Sequence, residues 1–276
     1  EYMRATLKRN GVDAIGVSRR NADIVGDIQD RDLVSSTVKE HQPDFIFHFA
    51  ADSTTRHDAL WNNHAAICTG SLNVLEAARR HSPTSRIFLS GSALQFENHG
   101  KPIDESAAFS ANSPYAVSRI HSVYAARYFR SLGVNAYVGY FFNHDSPRRQ
   151  ARHIAAKIAH YCRHFATQRE KLKIGDVSVR KEWTYAGDVV EAIWTLVNQD
   201  QIFECVIGSG EDHSIAEWLE ACFSIIGEDW RSHVITDTNF KPDYRSLVSN
   251  PKLIKSLGWT PSVSLQELAN MMIKDS

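Results

Sequence analysis

The chain has 276 residues, with 31 Lys and Arg against 32 Asp and Glu and a formal net charge of −1. So even a balance supplies no broad positive field for nucleic acid or an anionic membrane surface, and any anion must be bound locally. The four cysteines (Cys68, Cys162, Cys205, Cys222) are far apart without C-x-x-C spacing, and no apolar run reaches the roughly 18–20 residues of a membrane span; a soluble protein of the reducing cytoplasm is expected.

Tyr2, Met3 and Leu7 predict an opening amphipathic helix that Gly11 ends, and "VDAIGVS" (12–18) predicts a strand. The alternation then repeats: helix in "DLVSSTVKEH" (32–41) and strand in "DFIFHFAA" (44–51), helix in "GSLNVLEAARRH" (70–81) and strand in "SRIFLSGSA" (85–93), helix through "VYAARYFRSLG" (123–133) and strand in "NAYVGYFF" (135–142). Short apolar strands alternating with helices of ten or more residues indicate right-handed βαβ units and a parallel sheet covered on both faces, a doubly wound, Rossmann-like α/β chain. Beyond about residue 145 the rhythm loosens into a basic segment, a helix in "HIAAKIAHYCRHFA" (153–166), short strands, and helices in "SIAEWLEACFSIIG" (214–227) and "LQELANMMIK" (265–274). Residues 1–145 are expected to form a nucleotide-binding domain and 146–276 mainly a smaller, partly interleaved substrate domain. A dinucleotide fold ordinarily begins on a strand running into a glycine-rich turn, and an apolar strand of that kind is expected upstream of Glu1.

The chemistry centres on "NSPYAVSR" (112–119). If this segment is helical, Tyr115 and Arg119 lie four apart on one face, and a cation near a phenol favours the phenolate that a general acid/base at a sugar hydroxyl requires. The plain alternative is a packed tyrosine and a solvated arginine. Ser90, Gly91 and Ser92 end the strand about 23 residues upstream, placing a hydroxyl at a strand's carboxyl end, where α/β sheets bind ligands.

In these motifs the chain resembles the extended short-chain dehydrogenase/reductases that act on nucleotide sugars, and within them the GDP-mannose 4,6-dehydratases. "GVSRR", "GDIQD", "HFAADS", "NSPYAVSR", "FFNHDSPRR", "RKEWTYAGDVVEAIW" and "SLGWTPSVSLQEL" occur in the family's order and approximate spacing. The resemblance implies a nicotinamide cofactor, with Asp27 and Ile28 beside the adenine, Ala50 and Ala51 near the ribose and diphosphate, and His144 near the nicotinamide. Ser18, Arg19 and Arg20 stand where NAD-preferring proteins often place an acid; two guanidiniums and no acid favour NADP, with NAD the alternative. The resemblance also implies that Ser92, Tyr115 and Arg119 are catalytic, with Tyr115 and Arg119 also touching the cofactor. It places Ser92 and Asn143 against the substrate and sets Lys157, Lys181 and Lys241, with Arg180 beside them, on the diphosphate of a nucleoside-diphosphate sugar. A homodimer or homotetramer is expected on the same basis.

Two positions depart from the family pattern. Leu94 stands where a dehydratase has the glutamate that removes the C5 proton, and Arg119 stands where the family has lysine. The redox step at C4 survives both changes. Loss of water does not follow from a leucine, so a 4-keto reductase or epimerase is the alternative, and a non-catalytic nucleotide-binding relative the third reading. His160, Cys162 and His164 lack a metal-binding carboxylate pattern, and no metal is expected. The run Arg148, Arg149, Arg152 and His153 is too short, in a neutral chain, to mark a nucleic-acid surface.

Overall fold

The structure is a computed structural model and describes residues 1–237 and 239–274. Its first half runs α1 (Tyr2–Arg9), β1 (Val17–Ser18), β2 (Ile24–Val25), α2 (Arg31–His41), β3 (Phe45–His48), α3 (Leu60–Asn63), α4 (Gly70–His81), β4 (Arg86–Ser92), α5 (Pro114–Ser131) and β5 (Asn135–Phe141). There follow β6 (His144–Asp145), α6 (Ile154–Arg163), β7 (Leu172–Ile174), β8 (Arg180–Glu182), β9 (Thr184–Tyr185), α7 (Ala186–Val197) and β10 (Glu204–Ile207). The chain ends with β11 (Asp212–Ser214), α8 (Ile215–Ile226), β12 (Val234–Thr236), β13 (Ser246–Leu247), α9 (Lys252–Ser256) and α10 (Leu265–Lys274).

Two compact units emerge. The first comprises Glu1–Glu97, Glu105–Phe141 and Ile193–Val206; the second comprises Asn98–Asp104, Phe142–Ala192 and Ile207–Ser276. The main sheet has the order β10-β5-β4-β3, in which β3, β4 and β5 are mutually parallel. Its central strands bury Ile87, Phe88, Leu89, Ala136, Tyr137 and Val138, the near-continuous apolar run of a sheet covered on both faces. The fold is an α/β, Rossmann-like one.

The predicted strand over 12–18 pairs only at Val17–Ser18, against β2. Ile15 is 52% exposed and Val17 42%, so this stretch lacks the packing that makes an apolar run extend, and the Gly16 N–H is taken by the Asp23 carboxylate at 2.6 Å. The helix preceding β4 also differs from its predicted form. Between α3 and α4, residues His64–Thr69 form a π-helical turn that packs against α5.

Local chemistry fixes α5. Ser113 caps it by accepting the Ala116 N–H at 3.2 Å, and Pro114 occupies the first helical position, where a missing N–H costs nothing. In the second unit α8 opens with a capping box between Ser214 and Glu217 and closes on Gly227, whose φ of 73° is the left-handed conformation glycine adopts freely. The core of that unit gathers α6, α8 and α10 around Trp218, Leu219, Phe223 and Leu268.

A candidate active site and an anion-lined cavity

In the first unit the candidate residues lie at carboxyl ends of strands. Ser92 closes β4; its hydroxyl accepts the Leu94 N–H at 3.2 Å, and the Gln95 side chain accepts the Ser92 N–H at 2.9 Å. With its lone pair used as a cap, the Ser92 O–H remains a donor for an oxygen placed before it. Leu94, two residues on, is half-buried and aliphatic.

Tyr115 sits in the first turn of the 18-residue α5, where unsatisfied N–H groups carry partial positive charge. Arg119 follows one turn later and is only 4% exposed. Its guanidinium carbon lies 5.0 Å from the Tyr115 ring centroid, over the ring face. One terminal nitrogen donates to the Ser90 hydroxyl at 2.8 Å and also to the Ser90 carbonyl. Because alternate residues of a strand share a face, Ser90 and Ser92 present their hydroxyls on one side of β4, while Gly91 faces Tyr140 on the other. The expected pair is therefore a buried contact, and the solvated-arginine alternative is set aside.

The cofactor candidates also follow strand ends. Arg19 and Arg20 are exposed just after β1 and, among the described residues, make no ion pair. Asp27 follows β2 and accepts the Gln29 N–H at 3.0 Å. Asn73 of α4, which carries no sequence signal of its own, holds this turn by donating to the carbonyls of Ile28 and Gln29, both at 3.0 Å. Gly70 permits the approach, since a Cβ there would stand 3.0 Å from Ile28 and 3.2 Å from His48. Ala50 and Ala51, small and following β3, leave room for a ligand. Free guanidiniums, small side chains at strand ends and a buried arginine with an unpartnered Nε fit a dinucleotide with phosphate groups.

The second unit holds a cavity of about 280 Å³ lined by Ile154, Lys157, Lys173, Ile174, Gly175, Asp176, Val179, Lys181, Ile215, Phe240, Pro242, Asp243 and Tyr244. Gly175 lets the Phe240 ring lie on the backbone, where a Cβ would stand 2.5 Å from it. Lys181 is 8% exposed, its ammonium lies 4.3 Å from the Trp183 ring centroid, and it makes no ion pair among the described residues. Burial pushes its pKa down, with Asp145 opposing. Lys157 donates from Nζ to the Lys173 carbonyl. Of the four basic residues expected on the diphosphate, Lys157 and Lys181 line this cavity. Arg180 does not: successive strand residues face opposite ways, and its guanidinium is bound by Asp212 (2.9 Å) and Glu217 (2.9 Å). Lys241 is exposed beside Phe240, outside the lining.

Asn143 and His144 also belong to this unit. Tyr244 donates to the Asn143 side chain at 3.3 Å, and the His144 Nδ1 lies 2.9 Å from the Phe142 carbonyl, with burial lowering its pKa. A buried carboxylate that sequence reasoning passes over, Glu182, accepts the N–H groups of Ser249 and Ser209 and ties their loops to β8. Among the described residues no group of three His, Cys, Asp or Glu converges as a metal site, and no helix is long and apolar enough to cross a membrane.

A profile of the GDP-mannose 4,6-dehydratase family matches residues 6–272. The chain belongs to that family. Its members are NAD(P)-dependent nucleotide-sugar enzymes of the extended short-chain dehydrogenase/reductase type. GDP-mannose 4,6 dehydratase 1 of Arabidopsis thaliana is 30% identical over 261 residues, covering 91% of this chain and 72% of the relative. The human GDP-mannose 4,6 dehydratase is 26% identical over 277 residues, covering 90% and 74%. Among solved structures, a UDP-glucose 4-epimerase from Thermotoga maritima with UDP-glucose superposes with a TM-score of 0.87 at 20% identity, over 99% of this chain and 93% of that one. RMD from Pseudomonas aeruginosa complexed with NADPH gives 0.87 at 18% identity, over 99% and 92%. These structural likenesses support the fold.

Proposed function

We propose that the protein is an NADP-preferring enzyme that oxidises a nucleoside-diphosphate sugar at C4, in the manner of its family. The observation that carries this reading is the buried Tyr115–Arg119 contact at the end of β4, beside the Ser92 hydroxyl. A bound nicotinamide supplies the hydride chemistry. Tyr115, as phenolate, takes the proton of the sugar's C4 hydroxyl; Ser92 donates a hydrogen bond that orients the same oxygen; Arg119 offsets the phenolate's charge. Ser18, Arg19, Arg20, Asp27, Ile28, Ala50, Ala51 and His144 are assigned to the cofactor, and the arginine pair supports NADP over NAD. Asn143, Lys157 and Lys181 are assigned to the sugar nucleotide, whose diphosphate suits the cavity's lysines. Arg180 and Lys241 keep a weaker claim as substrate residues.

Family membership supports a GDP-sugar and loss of water. Leu94 favours a second reading, a 4-keto reductase or epimerase, because an alkyl group transfers no proton. Incubating the protein with NADP and GDP-, CDP-, UDP- and dTDP-sugars, with products followed by mass, separates them. Loss of one water marks a dehydratase, gain of two hydrogens by a 4-keto sugar a reductase, and unchanged mass with altered retention an epimerase. No product from any sugar would overturn the proposal.

We also propose a homo-oligomer in the cytoplasm. Val117, Tyr124 and Tyr128 are exposed along one face of α5, and the four cysteines are unbridged and buried, as a reducing compartment allows.

A further inference from the structure

Arg119 is a buried cation with no carboxylate partner among the described residues. Its guanidinium is satisfied in part by Ser90, whose hydroxyl and carbonyl both accept from one terminal nitrogen, while Nε is buried without a partner. Ser90 is itself fixed, because its hydroxyl donates to the His48 carbonyl at 3.3 Å across the β3–β4 ladder. Besides Tyr115 on α5, two titratable groups sense this charge: His48, which ends β3, and Cys68 in the π-helical turn. Burial lowers the His48 pKa to about 4, with Arg119 adding to the effect, and burial raises the Cys68 thiol. Both are neutral near pH 7. Taking a charge out of water is costly unless an opposite charge answers it, and Tyr115 is the group in this set that can become the anion.

We propose that Ser90 is a positioning residue which holds the Arg119 guanidinium over the Tyr115 ring, so that an arginine stabilises the phenolate. Lysine's compact ammonium needs one close acceptor; the planar guanidinium needs its orientation fixed, and two acceptors on one residue provide that. The proposal rests on Tyr115 being the proton-transfer group.

The test is an ultraviolet titration of phenolate in the full chain, with the Tyr115→Phe trace subtracted, so that it reads Tyr115 without substrate. Ser90→Ala is expected to move the Tyr115 transition to higher pH by about one unit, a roughly ten-fold loss of phenolate at fixed pH. Ser90→Thr, which keeps the hydroxyl, restores it. Where a sugar is turned over, kcat/KM falls about ten-fold at neutral pH in Ser90→Ala and recovers at alkaline pH, a signature that a merely structural role does not produce. Ser90→Cys, closer in shape and a weak acceptor, behaves as Ser90→Ala and serves if the alanine variant does not fold. An unmoved Tyr115 transition in either variant overturns the proposal. A shifted transition in a protein that turns over no nucleotide sugar leaves it standing and sinks the functional reading instead.

Discussion

The Lys181 ammonium lies over the Trp183 ring, 4.3 Å from its centroid, and that ring in turn stacks on Trp218 at 4.7 Å with planes 8° apart. The Trp183 indole N–H donates to the His213 carbonyl at 3.0 Å, so the platform beneath the lysine is fixed. A buried ammonium held against aromatic faces rather than a carboxylate keeps its charge available to an anion entering the cavity.

Lys181→Met should therefore separate function from stability. Losing a charged hydrogen bond to phosphate costs about 1.5–3 kcal/mol, roughly a 10- to 100-fold rise in KM for the sugar nucleotide. The same variant should unfold at a higher denaturant concentration, because a buried charge is replaced by an apolar chain. Paired kinetics and urea melts at neutral pH check both halves.

Glu204 should dominate part of the acid sensitivity of the first unit. Burial opposes its ionisation, but hydrogen bonds from Arg127, Tyr140 and Arg130 outweigh that and hold its pKa at about 2, against an ordinary 4.5. A depressed carboxylate contributes stability that is complete above about pH 4.5 and is lost as pH falls through about 2. The 2.5-unit difference corresponds to about 3 kcal/mol. Glu204→Gln should be destabilised near neutrality and lose this part of the slope between pH 4.5 and 2, as read by urea melts at each pH.

Tyr115→Phe should lower kcat by about 10²–10⁴-fold with little change in cofactor affinity, since the phenol oxygen transfers the proton and the ring packing is kept. Ser92→Ala should cost less, because a positioned hydrogen bond is lost and no proton carrier is removed. Single-turnover rates and cofactor titration by fluorescence make the comparison.

Leu94→Glu reintroduces a carboxylate two residues after Ser92. If the chain is a reductase or epimerase that lost this group, the variant should begin to release a product lighter by one water from a nucleotide hexose. An unchanged product mass would count against Leu94 as the residue that decides the reaction.

The first unit was largely legible because its signals are local. Ser113-Pro114 marks the start of α5, and the apolar runs of β4 and β5 declare buried parallel strands. The alternation in Ser90-Gly91-Ser92 could have been read as two hydroxyls on one face, and that in Arg180-Lys181 as side chains on opposite faces of β8. The features that were not legible depend on partners distant in sequence. Glu182 is defined by Ser209 and Ser249, Asn73 by a turn 44 or 45 residues away, and the short pairing of β1 by its lack of neighbours. The π-helical turn contains neither proline nor glycine to announce it.

That turn also sets the rotational phase of α4. A π turn accommodates more chain than an α turn, and removing a single residue from His64–Thr69 would let α3 run into α4 as one regular helix while rotating α4 by about 100°. Gly70 would then swing away from His48, and Asn73 from the Ile28 carbonyl. The irregular turn works as a spacer that aligns one helix with two strand ends, so a one-residue deletion there should be felt at the cofactor turn and beside Arg119 together.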